Sequence, residues 1–157
     1  MTNPLMTKPL MKLITDGVDS MQQLGNQIGK QLKSGDLVVL TGELGAGKTV
    51  LTQGIAAALG VEDVTSPTFV ISRIHKGDPN FIHIDAYRLL ESGVNAFADL
   101  DFESYLPNSI FVIEWGKDFI SALSDQYLDI KISLTDNESE RSVEITGVGQ
   151  RWSGFKL

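Results

Sequence analysis

A glycine-rich stretch from Thr41 to Thr49, TGELGAGKT, has the residue types and spacing best suited to chemistry in this sequence. A glycine, any four residues and then Gly-Lys-Thr is the pattern of a phosphate-binding loop. Glycines allow consecutive backbone N–H groups to turn toward a polyphosphate, because no Cβ blocks the anion or forbids positive φ. We therefore expect a nucleoside triphosphate as the ligand.

Two side chains of this loop have predicted roles. Lys48 is expected to reach the β and γ oxygens of the nucleotide, and the Thr49 hydroxyl is expected to bind Mg²⁺. A helix that begins directly after the loop adds free N–H groups and a partial positive charge. The residues predicted to contact the nucleotide here are Gly42, Glu43, Leu44, Gly45, Ala46, Gly47, Lys48, Thr49 and Val50.

Two carboxylates come at the ends of predicted strands. Asp85 ends the alternating run 81–85, and Glu114 ends the apolar run 109–114. A strand-end carboxylate beside a phosphate loop is where the second Mg²⁺-directed ligand belongs. We expect Asp85 to hold the metal, and Glu114 to hold it through water or to orient the attacking water. Lys48, Asp85 and Glu114 form the predicted catalytic set, and Thr49, Asp85 and Glu114 the predicted metal ligands.

Three further residues are candidates for contact with the nucleotide, namely Thr68, Trp115 and Arg141. The hydroxyls of Thr65, Ser66 and Thr68 precede a predicted strand, where a γ-phosphate sensor or simple turn and capping residues would lie. Thr68 is the candidate nucleotide contact among them. Trp115 is expected to cover the nucleotide or a partner surface, or to pack in the core. Arg141 is expected to reach a phosphate or to be an ordinary surface arginine.

Hydrophobic patterning predicts the elements that position these residues. Apolar residues from Val18 to Leu32 recur at three- and four-residue steps, which is typical of an amphipathic helix. Residues 1–12, with two prolines, are expected to form a flexible arm. The other predicted elements are strand 37–40, helix 50–59, strand 69–74, turn 76–80, strand 81–85, a helical segment 91–100, strand 109–114, a short helix 118–123, and strands 127–134 and 142–146.

Composition narrows the class of protein. A chain of 157 residues is expected to form a single domain, 1–157, and no apolar run is long enough to cross a bilayer, so a cytoplasmic, membrane-free protein is expected. Zero cysteines exclude disulfides, and two histidines argue against a His-based zinc site. The net charge of −7, without a Lys/Arg cluster, argues against autonomous nucleic-acid binding.

Four sequence blocks together resemble one family. They are GELGAGKT at 42–49, SPTF at 66–69, HIDAYR at 83–88 and IEW at 113–115. In this order and at these spacings they resemble the TsaE family, also called YjeE, of small bacterial P-loop ATPases in tRNA threonylcarbamoyladenosine synthesis. The resemblance runs from about Val18 to Ile145. The sequence departs from many relatives at Gly116-Lys117, where those have proline and an acidic residue.

The fold predicted for this chain is an α/β, P-loop NTPase-like three-layer domain, with a mainly parallel sheet and antiparallel hairpins at its edge. The resemblance implies ATP and Mg²⁺ as ligands, weak hydrolysis by the chain alone, and action with the TsaD and TsaB proteins on the adenosine next to the tRNA anticodon. Contact with tRNA is then expected only through that complex. The resemblance also implies that 66–69 form a switch-like loop and that Trp115 lies close to the nucleotide.

A phosphate-binding loop is also found in proteins with three other activities. A small kinase for a metabolite would usually close an arginine-rich lid, whereas this chain has only scattered Arg73, Arg88, Arg141 and Arg151. A GTPase is disfavoured because the Asn-Lys-x-Asp signature, which is associated with recognition of guanine in that class, does not occur in this chain. An ATP-gated binding module, in which nucleotide state sets partner affinity, overlaps with the family's activity.

Overall fold

The fold is known from a computed structural model that describes residues 11–43, 45–62, 64, 72–89 and 100–157. Seven strands form one sheet in the order β1-β7-β6-β2-β5-β4-β3. The strands are β1 Met11–Asp16, β2 Leu37–Gly42, β3 Ser72–His75, β4 Asn80–Asp85, β5 Ser109–Glu114, β6 Tyr127–Leu134 and β7 Glu140–Val148, and the α-helices among the described residues are α1 Gly17–Gly29 and α2 Lys48–Ala58.

The centre of the sheet is parallel and its edges are antiparallel. Strands β6, β2, β5 and β4 run parallel to one another, whereas β3 is added antiparallel to β4, β7 is added antiparallel to β6, and β1 is added antiparallel to β7. The near-continuous apolar stretches of β2 and β5 fit central parallel strands, because such strands are covered on both faces. This arrangement confirms the predicted α/β class, with a parallel centre and antiparallel hairpins at the edges.

Helices α1 and α2 cover one face of the sheet together. Their apolar side chains, including Leu24, Ile28 and Ile55, pack with Val38 and Leu40 of β2 in one buried cluster. The two helices approach each other so closely that glycine is required at the crossing. A Cβ on Gly25 would lie 2.3 Å from the Leu51 carbonyl oxygen, and one on Gly54 would lie 2.2 Å from the Gln22 carbonyl oxygen.

Short 3-10 segments cover the opposite face in the described part of the chain. Phe102, Phe119 and Ile120 pack there with Phe111 and Ile113 of β5 in a second buried cluster. The segments are Ala86–Leu89, Phe102–Asn108, Gly116–Asp118 and Ile120–Ala122, and a fifth, Gln150–Trp152, lies in the C-terminal tail. The sheet therefore lies between two covering layers, as expected for a three-layer domain.

Two element predictions need correction, and two others lie partly outside the described residues. Met11 and Lys12, expected in a flexible arm, begin β1 and pair with Ile145 and Glu144 of β7. The predicted helix 118–123 is instead two 3-10 turns. The predicted start of strand 69–74, through residue 71, and residues 91–99 of the predicted helical segment 91–100 lie outside the described residues. No helix in the described ranges is long and apolar enough to cross a bilayer.

Candidate functional site

The phosphate-type loop joins the end of β2 to the start of α2. Gly45 and Gly47 have φ of 81° and 115°, a left-handed conformation that glycine adopts without steric cost. Gly47 is the N-cap residue of α2, so the free N–H groups of the first helical turn begin at the loop. The backbone N–H of Ala46 donates to the Glu43 carbonyl at 3.0 Å. This geometry is suited to an anion, and Leu44 lies outside the described residues.

The Lys48 ammonium is held by its own loop. Its Nζ donates to the carbonyls of Gly42 at 2.6 Å and Glu43 at 3.1 Å, and lies 4.9 Å from the centre of the Trp115 ring. Burial lowers the pKa of Lys48, and the negative charges of Glu114 and Asp85 partly oppose that shift. An ammonium has three N–H donors, so one remains for a ligand.

Parallel pairing brings the two candidate carboxylates to the loop. Glu114 is in register with Leu40 of β2 on one side and with Asp85 of β4 on the other. Since β2 leads into the loop, the carboxyl ends of these three strands meet beside it. Burial raises the pKa of Asp85, the backbone N–H of Tyr87 lowers it by donating to Oδ1 at 3.0 Å, and the charge of Glu114 raises it further.

Glu114 also makes a hydrogen bond to a histidine, His83, for which the sequence predicts no role. His83 Nε2 lies 2.6 Å from Glu114 Oε2, and both side chains are buried, at 0% and 5% exposure. His83 precedes Asp85 by two positions in β4. Because side chains two apart share one face of a strand, this spacing was the signal that His83 and Asp85 lie on the same side of the sheet.

Trp115 forms one wall of the site. Its backbone is in the left-handed region, with φ of 61°, and its N–H donates to the Leu40 carbonyl at 2.9 Å. The Tyr87 ring meets the Trp115 ring edge-on, with centroids 5.4 Å apart. Tyr87 is 59% exposed and was not recognised from the sequence. The pair presents aromatic surface to the cleft beside Lys48.

A cleft of about 650 Å³ collects most of the predicted site residues. Volumes of this size suit a small-molecule ligand. Its lining residues are Glu43, Gly45, Gly47, Lys48, Thr49, Val50, Asp85, Tyr87, Glu114 and Trp115. Gly42, at the start of the loop, packs closely against β6, because a Cβ there would lie 2.8 Å from the Ile132 carbonyl oxygen. Thr65, Ser66 and Thr68 lie outside the described residues.

Arg141 lines a second, smaller cleft beside the loop. This cleft has a volume of about 240 Å³, and it shares Gly45, Gly47 and Val50 with the larger one. The Arg141 Nη1 donates to the carbonyls of Glu138 at 2.6 Å and Glu140 at 2.8 Å, in its own turn. The other lining residues are Gly17, Val18, Met21, Ala46, Glu138 and Ser139. Arg141 is thus separate from the carboxylates.

The donor set fits Mg²⁺ better than a fully protein-caged metal. Within the described ranges there is no group of three or more His, Asp or Glu side chains that could hold an ion. Mg²⁺ usually keeps several waters and takes one or two carboxylates together with substrate phosphates. A hydroxyl and two strand-end carboxylates around one cleft, Thr49, Asp85 and Glu114, are compatible with that coordination.

The chain is similar to proteins of one family. The model of the family described as threonylcarbamoyl adenosine biosynthesis protein TsaE matches residues 15–143. The tRNA threonylcarbamoyladenosine biosynthesis protein TsaE of Streptomyces coelicolor is 46% identical over 140 residues, covering 85% of this chain and 94% of its own. The protein of the same name from Mycobacterium tuberculosis strain H37Rv is 41% identical over 133 residues, which cover 79% of this chain and 79% of that protein.

A solved structure supports the same grouping. The crystal structure of Bacillus subtilis YdiB superposes with a TM-score of 0.76 at 29% sequence identity, covering 94% of this chain and 90% of that one. The likeness confirms the predicted P-loop NTPase-like fold.

Proposed function

This chain belongs to the TsaE family of tRNA threonylcarbamoyladenosine biosynthesis proteins, and we propose that it serves that modification by binding ATP with Mg²⁺ and hydrolysing it slowly. The observation that carries the proposal is the cleft in which Lys48 and two strand-end carboxylates, Asp85 and Glu114, surround a glycine-rich loop. A cation for phosphates and carboxylates for a metal and a water are the groups that phosphoryl transfer to water requires.

Each group in the cleft has a part in this proposal. Lys48 donates its free N–H to the terminal phosphates, while loop and helix N–H groups bind the remaining oxygens. Thr49 and Asp85 would hold Mg²⁺, which supplies positive charge against the phosphates. Glu114 orients the attacking water and accepts its proton, or holds the metal through water. Trp115 and Tyr87 cover the opening and limit the access of bulk water.

The nucleoside is proposed to extend into the second cleft. That cleft shares the lining residues Gly45, Gly47 and Val50 with the first, so a nucleotide bound along the loop could contact both. Val18 and Met21 offer apolar surface for the base. Arg141 is proposed to contact the nucleotide from this cleft. Its guanidinium would give up one of its hydrogen bonds to a carbonyl of its own turn and donate to the ligand instead.

The proposed partners are the TsaD and TsaB proteins, with tRNA contacted only through their complex. The net charge of −7 supports docking on proteins rather than direct binding of a polyanion. Nucleotide state would then set the affinity for these partners.

Titration calorimetry with purified protein tests the nucleotide part of this proposal. We expect one ATP per chain, bound more weakly when Mg²⁺ is chelated, and weaker binding of GTP at the same concentration. Absence of ATP binding with Mg²⁺ present would reject the proposal. Turnover that appears only when a small-molecule acceptor is added would instead identify a kinase.

A further inference from the structure

We propose that His83 is a positioning residue that fixes the Glu114 carboxylate for its task in the cleft. The proposal rests on the proposed function, because it assigns His83 a part in ATP turnover. The carrying observation is the buried contact of 2.6 Å between His83 Nε2 and Glu114 Oε2. The His83 side chain has no exposed surface, so it acts on the reaction only through Glu114.

The main chain of Glu114 is already fixed by the sheet. Strand β5 is paired on both sides, with β2 and with β4, and the N–H of Trp115 donates to the Leu40 carbonyl at 2.9 Å. What remains free is rotation within the glutamate side chain, which has three torsions. A single short hydrogen bond to His83 removes most of that freedom.

The bond also distinguishes the two carboxylate oxygens. Oε2 is bonded to His83, so Oε1 is the oxygen left to meet a water or a metal in the cleft. A misplacement of about 1 Å in a reacting group can cost on the order of a hundredfold in rate. Loss of the His83 bond should therefore lower turnover without changing the groups that grip the phosphates.

The surroundings of His83 identify the nitrogen that carries the proton. For Glu114 to serve as a base or a metal ligand it has to be a carboxylate, which only accepts hydrogen bonds, and the proposed role therefore requires Nε2–H as the donor. Nδ1 is buried and has no hydrogen-bond partner among the described residues. A bare lone pair there is less costly than an unpaired N–H, which favours the tautomer with its proton on Nε2.

Two matched substitutions test the positioning role. In His83→Gln the side-chain amide nitrogen can take the place of Nε2, whereas in His83→Asn the amide is too short to reach Glu114. We expect His83→Asn to lower kcat on the order of tenfold with ATP affinity unchanged, and His83→Gln to recover most of the loss. In a Glu114→Ala background, His83→Asn should have no further effect on turnover. Equal kcat for parent and His83→Asn would overturn the proposal.

A measurement that needs no turnover covers the case in which the variants do not fold. Nitrogen-15 NMR of the parent should show the His83 proton on Nε2, protected from exchange, and Glu114→Ala should remove that protection. A bare Nε2 in the parent would overturn the contact itself. A parent that shows this proton but neither binds nor hydrolyses ATP would instead reject the proposed function.

Discussion

The Lys48 ammonium uses two of its three N–H donors on loop carbonyls and keeps one for a ligand. Replacing it by alanine deletes the cation that is proposed to contact the phosphates. We predict that Lys48→Ala weakens ATP binding at least tenfold, roughly the effect of losing one charge-assisted hydrogen bond. Calorimetry of the variant measures this. The exposed Lys76, in the turn between β3 and β4, provides the control Lys76→Ala, which should bind like the parent.

Glu114 is predicted to affect turnover rather than binding. It lies at the end of β5, is 4% exposed, and its side chain is hydrogen-bonded to His83 of β4 rather than to the phosphate-binding loop. Glu114→Ala should keep ATP affinity within a few fold of the parent and lower hydrolysis by roughly a hundredfold or more, as is typical when a general base is lost.

Phosphate release measured under saturating ATP tests the Glu114 prediction. The exposed Glu103 in the segment Phe102–Asn108 is a control of the same charge, and Glu103→Ala should hydrolyse ATP at the parental rate. Parental turnover in Glu114→Ala would remove Glu114 from the proposed catalytic groups.

Where a motif constrained single residues, the sequence predicted that they lie close together, whereas their roles stay predictions. Lys48, Thr49, Asp85, Glu114 and Trp115 line one cleft, as their positions in the loop and at strand ends indicated. The hydrogen bond between His83 and Glu114 and the edge-on contact of Tyr87 with Trp115 were not predicted. Both contacts join residues of different strands or segments, so they depend on β4 pairing with β5, which periodicity alone does not specify.

At the scale of elements, the crossing of α1 and α2 depends on glycine. Alanine is favoured over glycine within a helix by about 1 kcal/mol. At Gly25, however, the added Cβ would lie 2.3 Å from the Leu51 carbonyl oxygen and 2.9 Å from the Ile55 nitrogen, both backbone atoms. We predict that Gly25→Ala lowers the free energy of unfolding by about 2 kcal/mol, because forced overpacking outweighs helix propensity.

Urea unfolding measures the effect of Gly25→Ala. The matched control is Gly154→Ala, because a Cβ at Gly154 meets no atom within 4 Å and its φ is not positive. Unchanged stability in Gly25→Ala would mean that the two helices can separate without loss, contrary to the packing described.

Strand β6 contains a half-buried carboxylate, Asp129, that opposes folding at neutral pH. Burial raises the pKa of Asp129, and Lys117 and Lys131 partly oppose the shift. A raised folded-state pKa means that Asp129 favours the folded state when protonated, below its unfolded pKa, and that this contribution is lost as pH rises through the folded pKa. Asp129→Asn is therefore predicted to unfold at higher urea concentration than the parent at about pH 7.

Comparing pH values isolates the charge of Asp129. The advantage of Asp129→Asn should shrink as pH is lowered toward the ordinary aspartate pKa of about 4, where the parent residue is also neutral. Asp125→Asn, at an exposed position in the same region, controls for the change in net charge and should shift stability much less. An advantage that does not depend on pH would contradict the assignment to ionisation.

Elements were predictable where local pattern and tertiary role agreed. The strands β2, β4, β5 and β6 and both helices were predicted within a few residues, since their apolar residues follow the period of the element that forms. Strand β1 was missed because Met11–Asp16 pairs only with β7, far along the chain, and two prolines precede it. The helix predicted at 118–123 forms 3-10 turns, whose apolar side chains nevertheless face the sheet.

Across the whole molecule, the C-terminal tail is tied to the entry of the central strand. Arg151 Nε and Nη2 donate to the two oxygens of Asp36 at 3.1 and 2.9 Å, and Nη2 also reaches the Gln31 carbonyl. The guanidinium lies 4.2 Å from the centre of the Trp152 ring. Trp152 is buried in the same cluster as the apolar side chains of α1 and α2.

Removing this contact should destabilise the fold as a whole. Asp36 is 6% exposed, so Arg151→Met would leave a buried carboxylate whose remaining partner among the described residues is the Lys33 N–H. We predict a loss of about 2 kcal/mol in the free energy of unfolding. Thermal and urea unfolding test this, with Arg73→Met on the exposed edge strand β3 as control. Equal stability of the Arg151 variant and the parent would show that the tail is not held by this ion pair.

ATP hydrolysis by the purified chain, alone and then with purified TsaD and TsaB proteins from the same organism, tests the central claim most directly. We expect slow ATP hydrolysis by the chain alone and a clear rise in the rate when both partners are present. The Lys48→Ala variant should be inactive in both conditions. Turnover that does not respond to the partners, and rises only when a small-molecule acceptor is supplied, would contradict the claim.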